Sequence, residues 1–165
     1  MTAKPHRPSG RPGHDVPRPA AVYGGTGLIP LVVCALAVWL APSGWDTFAL
    51  NVQLFYGAVI ISFLGAAHWG LALAGVGTDG DEQAACSWTR LGWSVAPALV
   101  GWVSLIVVPL VGLVMQILAF AAAYAADVRV VHAGLAPPWY PRLRRPLTAV
   151  AVIALGAPLL RVIWG

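Results

Sequence analysis

Stretches of apolar residues at 20–41, 48–75, 88–108, 110–126 and 147–164 constrain this chain more than any other feature. Most are close to the ~20 residues a helix needs to cross a hydrocarbon core of ~30 Å. Inside lipid no water is present to satisfy a peptide group, so each run must close its hydrogen bonds within a helix. Composition points the same way. Only 10% of the 165 residues are charged and 59% are hydrophobic, whereas soluble domains carry about a quarter charged residues. Charge this sparse cannot cover a water-facing surface. The expected fold is all-α: a polytopic membrane protein of about five transmembrane helices in a compact bundle, spanning residues 20–165.

Residues 1–19 are rich in Pro, Gly and Arg without an apolar period and read as a disordered, basic cytoplasmic arm. Their prolines argue against an amphipathic mitochondrial presequence. Ala35-Leu36-Ala37 mimics a signal-peptide cleavage box, but the run is long for a signal core and the arm before it is long as well. Asp79, Asp81 and Glu82 mark a short acidic loop, and Pro109 turns the third run directly into the fourth. The fifth run contains Arg161, which must snorkel outward if that run spans. Placing the N-terminus inside puts Lys4, Arg7, Arg11, Arg18, Arg90, Arg129, Arg142, Arg144 and Arg145 on one side and Arg161 on the other. The positive-inside rule then predicts a cytoplasmic N-terminus and a periplasmic C-terminus. This bias also explains the net charge of +4 without a nucleic-acid partner.

Polar side chains in the apolar runs are costly, and so informative. His68, Gln116, Asp127 and Arg90 form the candidate functional cluster. His68 lies just beyond a small-residue face of the second run. It is read either as a proton relay, ligand contact or axial ligand, or as a structural histidine bonded to a neighbouring helix. Gly112, Gln116, Ala119, Ala123 and Asp127 share one face of the fourth run at helical spacing. Asp127 is expected to pair with Arg90 in the interior or with Arg129 at the surface. Gly57, Ser62, Gly65, Gly70, Pro97, Gly101 and Gly112 are the expected helix-packing positions. Arg142, Arg144 and Arg145 are candidates for anionic lipid head groups, with the positive-inside signal as the simpler explanation. Two cysteines, Cys34 in an apolar run and Cys86 in a loop, provide neither a disulfide framework nor a zinc site. No second histidine lies in the bilayer to complete a haem site, and no cofactor or metal is expected. Gly24-Gly25-Thr26-Gly27 lacks the preceding strand and following Lys-Ser/Thr of a phosphate loop.

The stretch Tyr56-Gly57-Ala58-Val59-Ile60-Ile61-Ser62-Phe63-Leu64-Gly65 followed by His68-Trp69-Gly70 resembles the hallmark of a small bacterial and mitochondrial family, typified by transmembrane protein 69. That family is a domain of unknown function. Gly27-Leu28-Ile29-Pro30 looks like its opening motif, and Asp127, Pro138-Trp139-Tyr140, Leu143-Arg144 and Leu147-Thr148 are similar to its loop and last-helix pattern. Ala66 and Ala67 stand where at least one glycine is expected. The resemblance covers the chain from about Ala20 onward. It implies a polytopic protein of the bacterial inner membrane and carries over no activity, so no residue inherits a catalytic role.

Three functions compete. The first is a structural or assembly partner of a larger membrane complex, or a homo-oligomer, packed through small-residue faces. The second is a small proton-linked transporter or channel using His68 and Gln116. The third is a membrane enzyme acting on a lipid or quinone with His68, Asp127 and Arg90; it requires His68 and Asp127 to meet beside a polar cleft. The residues lean away from an enzyme.

Overall fold

A computed structural model describes residues 15–78, 81 and 86–164. Most of the arm, with Lys4, Arg7 and Arg11, lies outside the described residues, as do Asp79 and Glu82 of the acidic loop. Among the described residues six helices follow in order: α1 (Arg18–Thr26), α2 (Ile29–Leu40), α3 (Trp45–Leu73), α4 (Trp88–Val103), α5 (Pro109–His132) and α6 (Tyr140–Trp164).

The first apolar run is two helices because Pro30, at the start of α2, has no N–H to continue the ladder of α1. The break leaves the Gly27 carbonyl accessible, and the Tyr56 hydroxyl donates to it at 2.8 Å. Two segments that carried the family resemblance are thus bonded to each other. Gly44, at φ +95°, turns α2 into α3, a conformation that side chains with a Cβ rarely adopt.

Four passages are long and apolar enough to cross a membrane: Arg18–Leu40, Trp45–Leu73, Pro109–His132 and Tyr140–Trp164. The run expected at 88–108 is helical only through Val103 and then turns. With 16 residues α4 is about 24 Å long. It still carries the chain back along α3, since Gly65 lies against Ser94 and Pro97 while Gly101 lies against Ala58. The two helices are therefore antiparallel. Pro109, with no N–H to leave unpaired at a helix start, opens α5 next to that turn.

Contacts along α6 set the order of the remaining passages. Leu147 meets Gly24 of α1, Ala154 receives a bond from Gln53, and Ala157 receives one from Trp39. Hence α6 runs parallel to α1–α2 and antiparallel to α3, and Arg18 and Trp164 lie at opposite ends of the bundle. Arg90, Arg129, Arg142, Arg144 and Arg145 gather at the Arg18 end, called here the basic end.

The bundle encloses a few polar side chains and presents an apolar surface. Gln53, Ser104 and Gln116 are fully buried, whereas Phe55, Val59, Phe63, Trp102, Leu118 and Ile153 are each more than half exposed. A monomer in water does not sustain so large an apolar surface; one in lipid requires it. The buried polar groups sit within an apolar core of Leu31, Leu54, Ile61, Leu113, Phe120 and Leu155.

Candidate functional site

At the basic end α3, α5 and α6 converge on one carboxylate. Asp127, 4% exposed, ends the buried seam of α5. Its Oδ1 lies 3.1 Å from His68 Nε2, and its Oδ2 accepts from Arg144 Nε at 2.7 Å. A carboxylate only accepts, so opposite an ionised Asp127 it is the Nε2–H tautomer of His68 that makes this bond, with Nδ1 turned away from Asp127. Arg144 and Asp127 cancel each other's charge.

His68 lines two clefts. One, of about 490 Å³, also takes in Leu71, Thr78, Arg90 and Trp93; the other, of about 250 Å³, takes in Ala67, Asp127, Trp139 and Tyr140. The phenol of Tyr140 is close enough to interact electrostatically with Asp127 and Arg144. Among the described residues no group of three His, Cys, Asp or Glu side chains is placed to hold a metal.

The expected cluster of four is only partly assembled. His68 and Asp127 meet; Arg90 shares a cleft with His68 but bonds elsewhere, and Gln116 stands apart. Arg90 donates from Nη2 to the Val76 carbonyl at 2.9 Å, because the loop after α3 folds back over α4. Gln116 stands about 16 Å from Asp127 along α5, at 1.5 Å per residue. It donates to the Leu54 carbonyl at 2.7 Å and to Ser104 Oγ at 3.0 Å, holding α3, α4 and α5 together. Asp127 pairs with neither Arg90 nor Arg129, which is exposed.

Arg144 was grouped with Arg142 and Arg145 as a lipid-headgroup residue, and the structure corrects this. The last helix starts at Tyr140 rather than at 147, so all three arginines lie on its first turns. Helical periodicity then directs Arg144 inward while Arg142 and Arg145 remain exposed. Of the expected packing positions, Gly57, Gly65, Gly101 and Gly112 lie where an added methyl would meet Gln116, Ser94, Ala58 and Ser104 respectively. Pro97 packs on Gly65, and Ser62 bonds its own helix at Ala58. At Gly70 an added methyl would meet nothing among the described residues. Arg161 does not simply snorkel: it donates to the Trp39 carbonyl at 3.0 Å and lies 3.5 Å from Asp46.

Gln53 was not anticipated. It is fully buried and donates to the Leu31 carbonyl at 3.3 Å and the Ala154 carbonyl at 2.7 Å, tying α3 to α2 and α6. Its place beside Leu50, Leu54, Gly57 and Ile61 at helical spacing was the available signal. Tyr140 and Thr148 were marked by the family resemblance alone, because their surroundings depend on where α6 begins.

Comparison with known proteins agrees with this architecture. The profile of a family described as "Protein of unknown function (DUF3429)" matches residues 16–160. Transmembrane protein 69 of Xenopus tropicalis is 33% identical over 150 residues, 88% of this chain and 55% of the relative. The chain thus spans about half the length of that relative. No solved structure matches. The chain is a multi-pass membrane protein and belongs to the DUF3429 family, which includes relatives of transmembrane protein 69.

Proposed function

We propose that this protein serves a small molecule at one membrane surface, with His68 as the group that exchanges a proton with it. The observation that carries this reading is the His68–Asp127 contact beside two clefts at the basic end. Asp127 orients the imidazole and Arg144 fixes Asp127, the arrangement a proton-transferring histidine needs. The positive-inside rule favours the cytoplasmic face of a bacterial inner membrane for this end. A transport pathway through His68 and Gln116 has less support, since Gln116 is bonded between helices at a separate level.

The test is mass spectrometry of small molecules retained by the protein after extraction from its own membrane. Wild type is expected to hold a defined compound that His68→Ala loses while remaining folded. Identical small-molecule content in both, across several detergents, defeats the reading.

One observation favours a structural or assembly role instead. An apolar groove of about 330 Å³ runs between α4 and α5, lined by Trp93, Pro97, Val100, Met115, Leu118 and Ala122. A groove with small residues suits an apolar helix of a partner. Co-purification in mild detergent should then yield a defined partner, and a clean monomer in several detergents counts against it.

A further inference from the structure

The larger cleft beside His68 contains a cation with no counterion among the described residues. Gly65 of α3 lies against Ser94 of α4. The two helices are antiparallel, so His68 and Arg90, about one turn on from each, stand at the same level. Both line the cleft of about 490 Å³. Arg90 gives Nη2 to the Val76 carbonyl and forms no ion pair among the described residues. Its guanidinium is not sealed off: among those residues Arg144 is the arginine with a buried, unpartnered nitrogen. Asp81, the described acid of the adjoining loop, is exposed and does not line the cleft.

His68 borders the same space from α3. Its side chain is 10% exposed, yet Nδ1 has no hydrogen-bond partner among the described residues and is not one of their enclosed atoms. That nitrogen therefore keeps accessible surface. Of the two clefts Asp127 lines only the smaller, and it holds Nε2, which leaves the opposite edge of the ring to the larger. Arg90 belongs to the first turn of α4, which no side chain caps, so that helix end adds partial positive charge at the same level. The remaining walls include Leu71, Trp93, Val130 and Leu135. A cleft of this size falls within the usual range of small-molecule sites, about 300–1,000 Å³.

Chemistry narrows the occupant. With Nε2–H on Asp127, a neutral His68 offers Nδ1 as an acceptor, while a guanidinium only donates. A single group that satisfies both carries an anionic oxygen for Arg90 and an O–H for Nδ1. An ionised carboxylate and a phosphodiester bring no such proton. A phosphomonoester does: it loses its second proton at about pH 6, in the range where imidazoles exchange theirs. We infer that this cleft binds a phosphomonoester, with Arg90 holding an anionic oxygen and His68 Nδ1 taking the proton of the P–O–H. The proton passes from the phosphate oxygen to Nδ1, leaving an imidazolium and a phosphate dianion, and no other bond changes. The inference rests on the reading of His68 as a proton-exchanging group and names the class of molecule it serves. The phosphate can belong to a lipid or to a soluble ester.

The experiment measures binding to the full chain in detergent with three probes: phosphatidic acid, phosphatidylglycerol and glycerol 3-phosphate. Wild type, Arg90→Gln, Arg90→Lys and His68→Ala are compared. Wild type should prefer a monoester to the phosphodiester. Arg90→Gln should lower monoester affinity about tenfold to a hundredfold, a charge-assisted hydrogen bond's worth, and Arg90→Lys should recover part of it. His68→Ala should abolish the preference for monoester over diester. Binding of phosphatidic acid alone assigns a lipid, and glycerol 3-phosphate binding as tightly assigns a soluble ester; either supports the site. Wild type that fails to distinguish phosphatidic acid from phosphatidylglycerol overturns the inference, a comparison that needs no variant to fold. So does Arg90→Gln with unchanged monoester affinity, or a preference that survives in His68→Ala. These failures are separate from that of the His68 reading itself, which falls when His68→Ala keeps the same small molecules as wild type after extraction.

Discussion

Replacing Asp127 with alanine strands a guanidinium. Arg144 is 7% exposed and its Nε has Asp127 as partner, and arginine does not shed its charge at any relevant pH. Removing one member of a buried ion pair costs about 3–5 kcal/mol. Arg144 lies about one turn from the start of α6, so it can swing partly toward the interface, and the lower end of that range, about 3 kcal/mol, is expected. The reverse change is milder. In Arg144→Met the carboxyl can take up a proton and keep its contact with His68, so about 1.5 kcal/mol is expected. The double variant Asp127→Ala/Arg144→Met strands neither charge and should also lose only about 1.5 kcal/mol. The three values give a coupling of about 3 kcal/mol. Unfolding by increasing SDS in mixed micelles, followed by tryptophan fluorescence, measures each of them; eight tryptophans supply the signal. If the double variant lies within about 0.5 kcal/mol of the sum of the singles, the pair is not energetically coupled and the cluster account is wrong.

Other outcomes follow from the same geometry. Gln116→Leu should lose about 1–2 kcal/mol in that assay while vesicles holding either protein stay equally proton-tight; a wild-type proton flux abolished by the change would restore the transport reading. Gly65→Ala, which presses a methyl toward the Ser94 carbonyl and Pro97, should cost about 1–3 kcal/mol. Gly70→Ala, with open space around it, should be neutral or gain up to about 1 kcal/mol from helix propensity; equal losses at the two sites would contradict the packing assignment. A sidedness reporter inserted at Ala136 should read cytoplasmic and one at the C-terminus periplasmic, because α6 leads from the basic end to the opposite one; matching signals from both would remove the crossing by α6.

Periodicity and length were enough for the all-α membrane fold, because a backbone in hydrocarbon has few alternatives to the helix and an apolar run of that length has few other uses. The two segments that carry the resemblance, from Tyr56 and from Gly27, meet in the fold through the Tyr56 hydroxyl and the Gly27 carbonyl. His68 and Asp127 were each conspicuous as polar residues in apolar surroundings. Which cation Asp127 selects was not legible. Arg90, Arg129 and Arg144 have the same chemistry, and the choice turns on where α6 begins and which of its faces points inward. The same registration places Arg144 and Thr148 one turn apart on the inward face of α6. Local composition sets which residues are expensive in lipid, but only the packing of helices distant in sequence decides which of them share that expense and which remain unpaired.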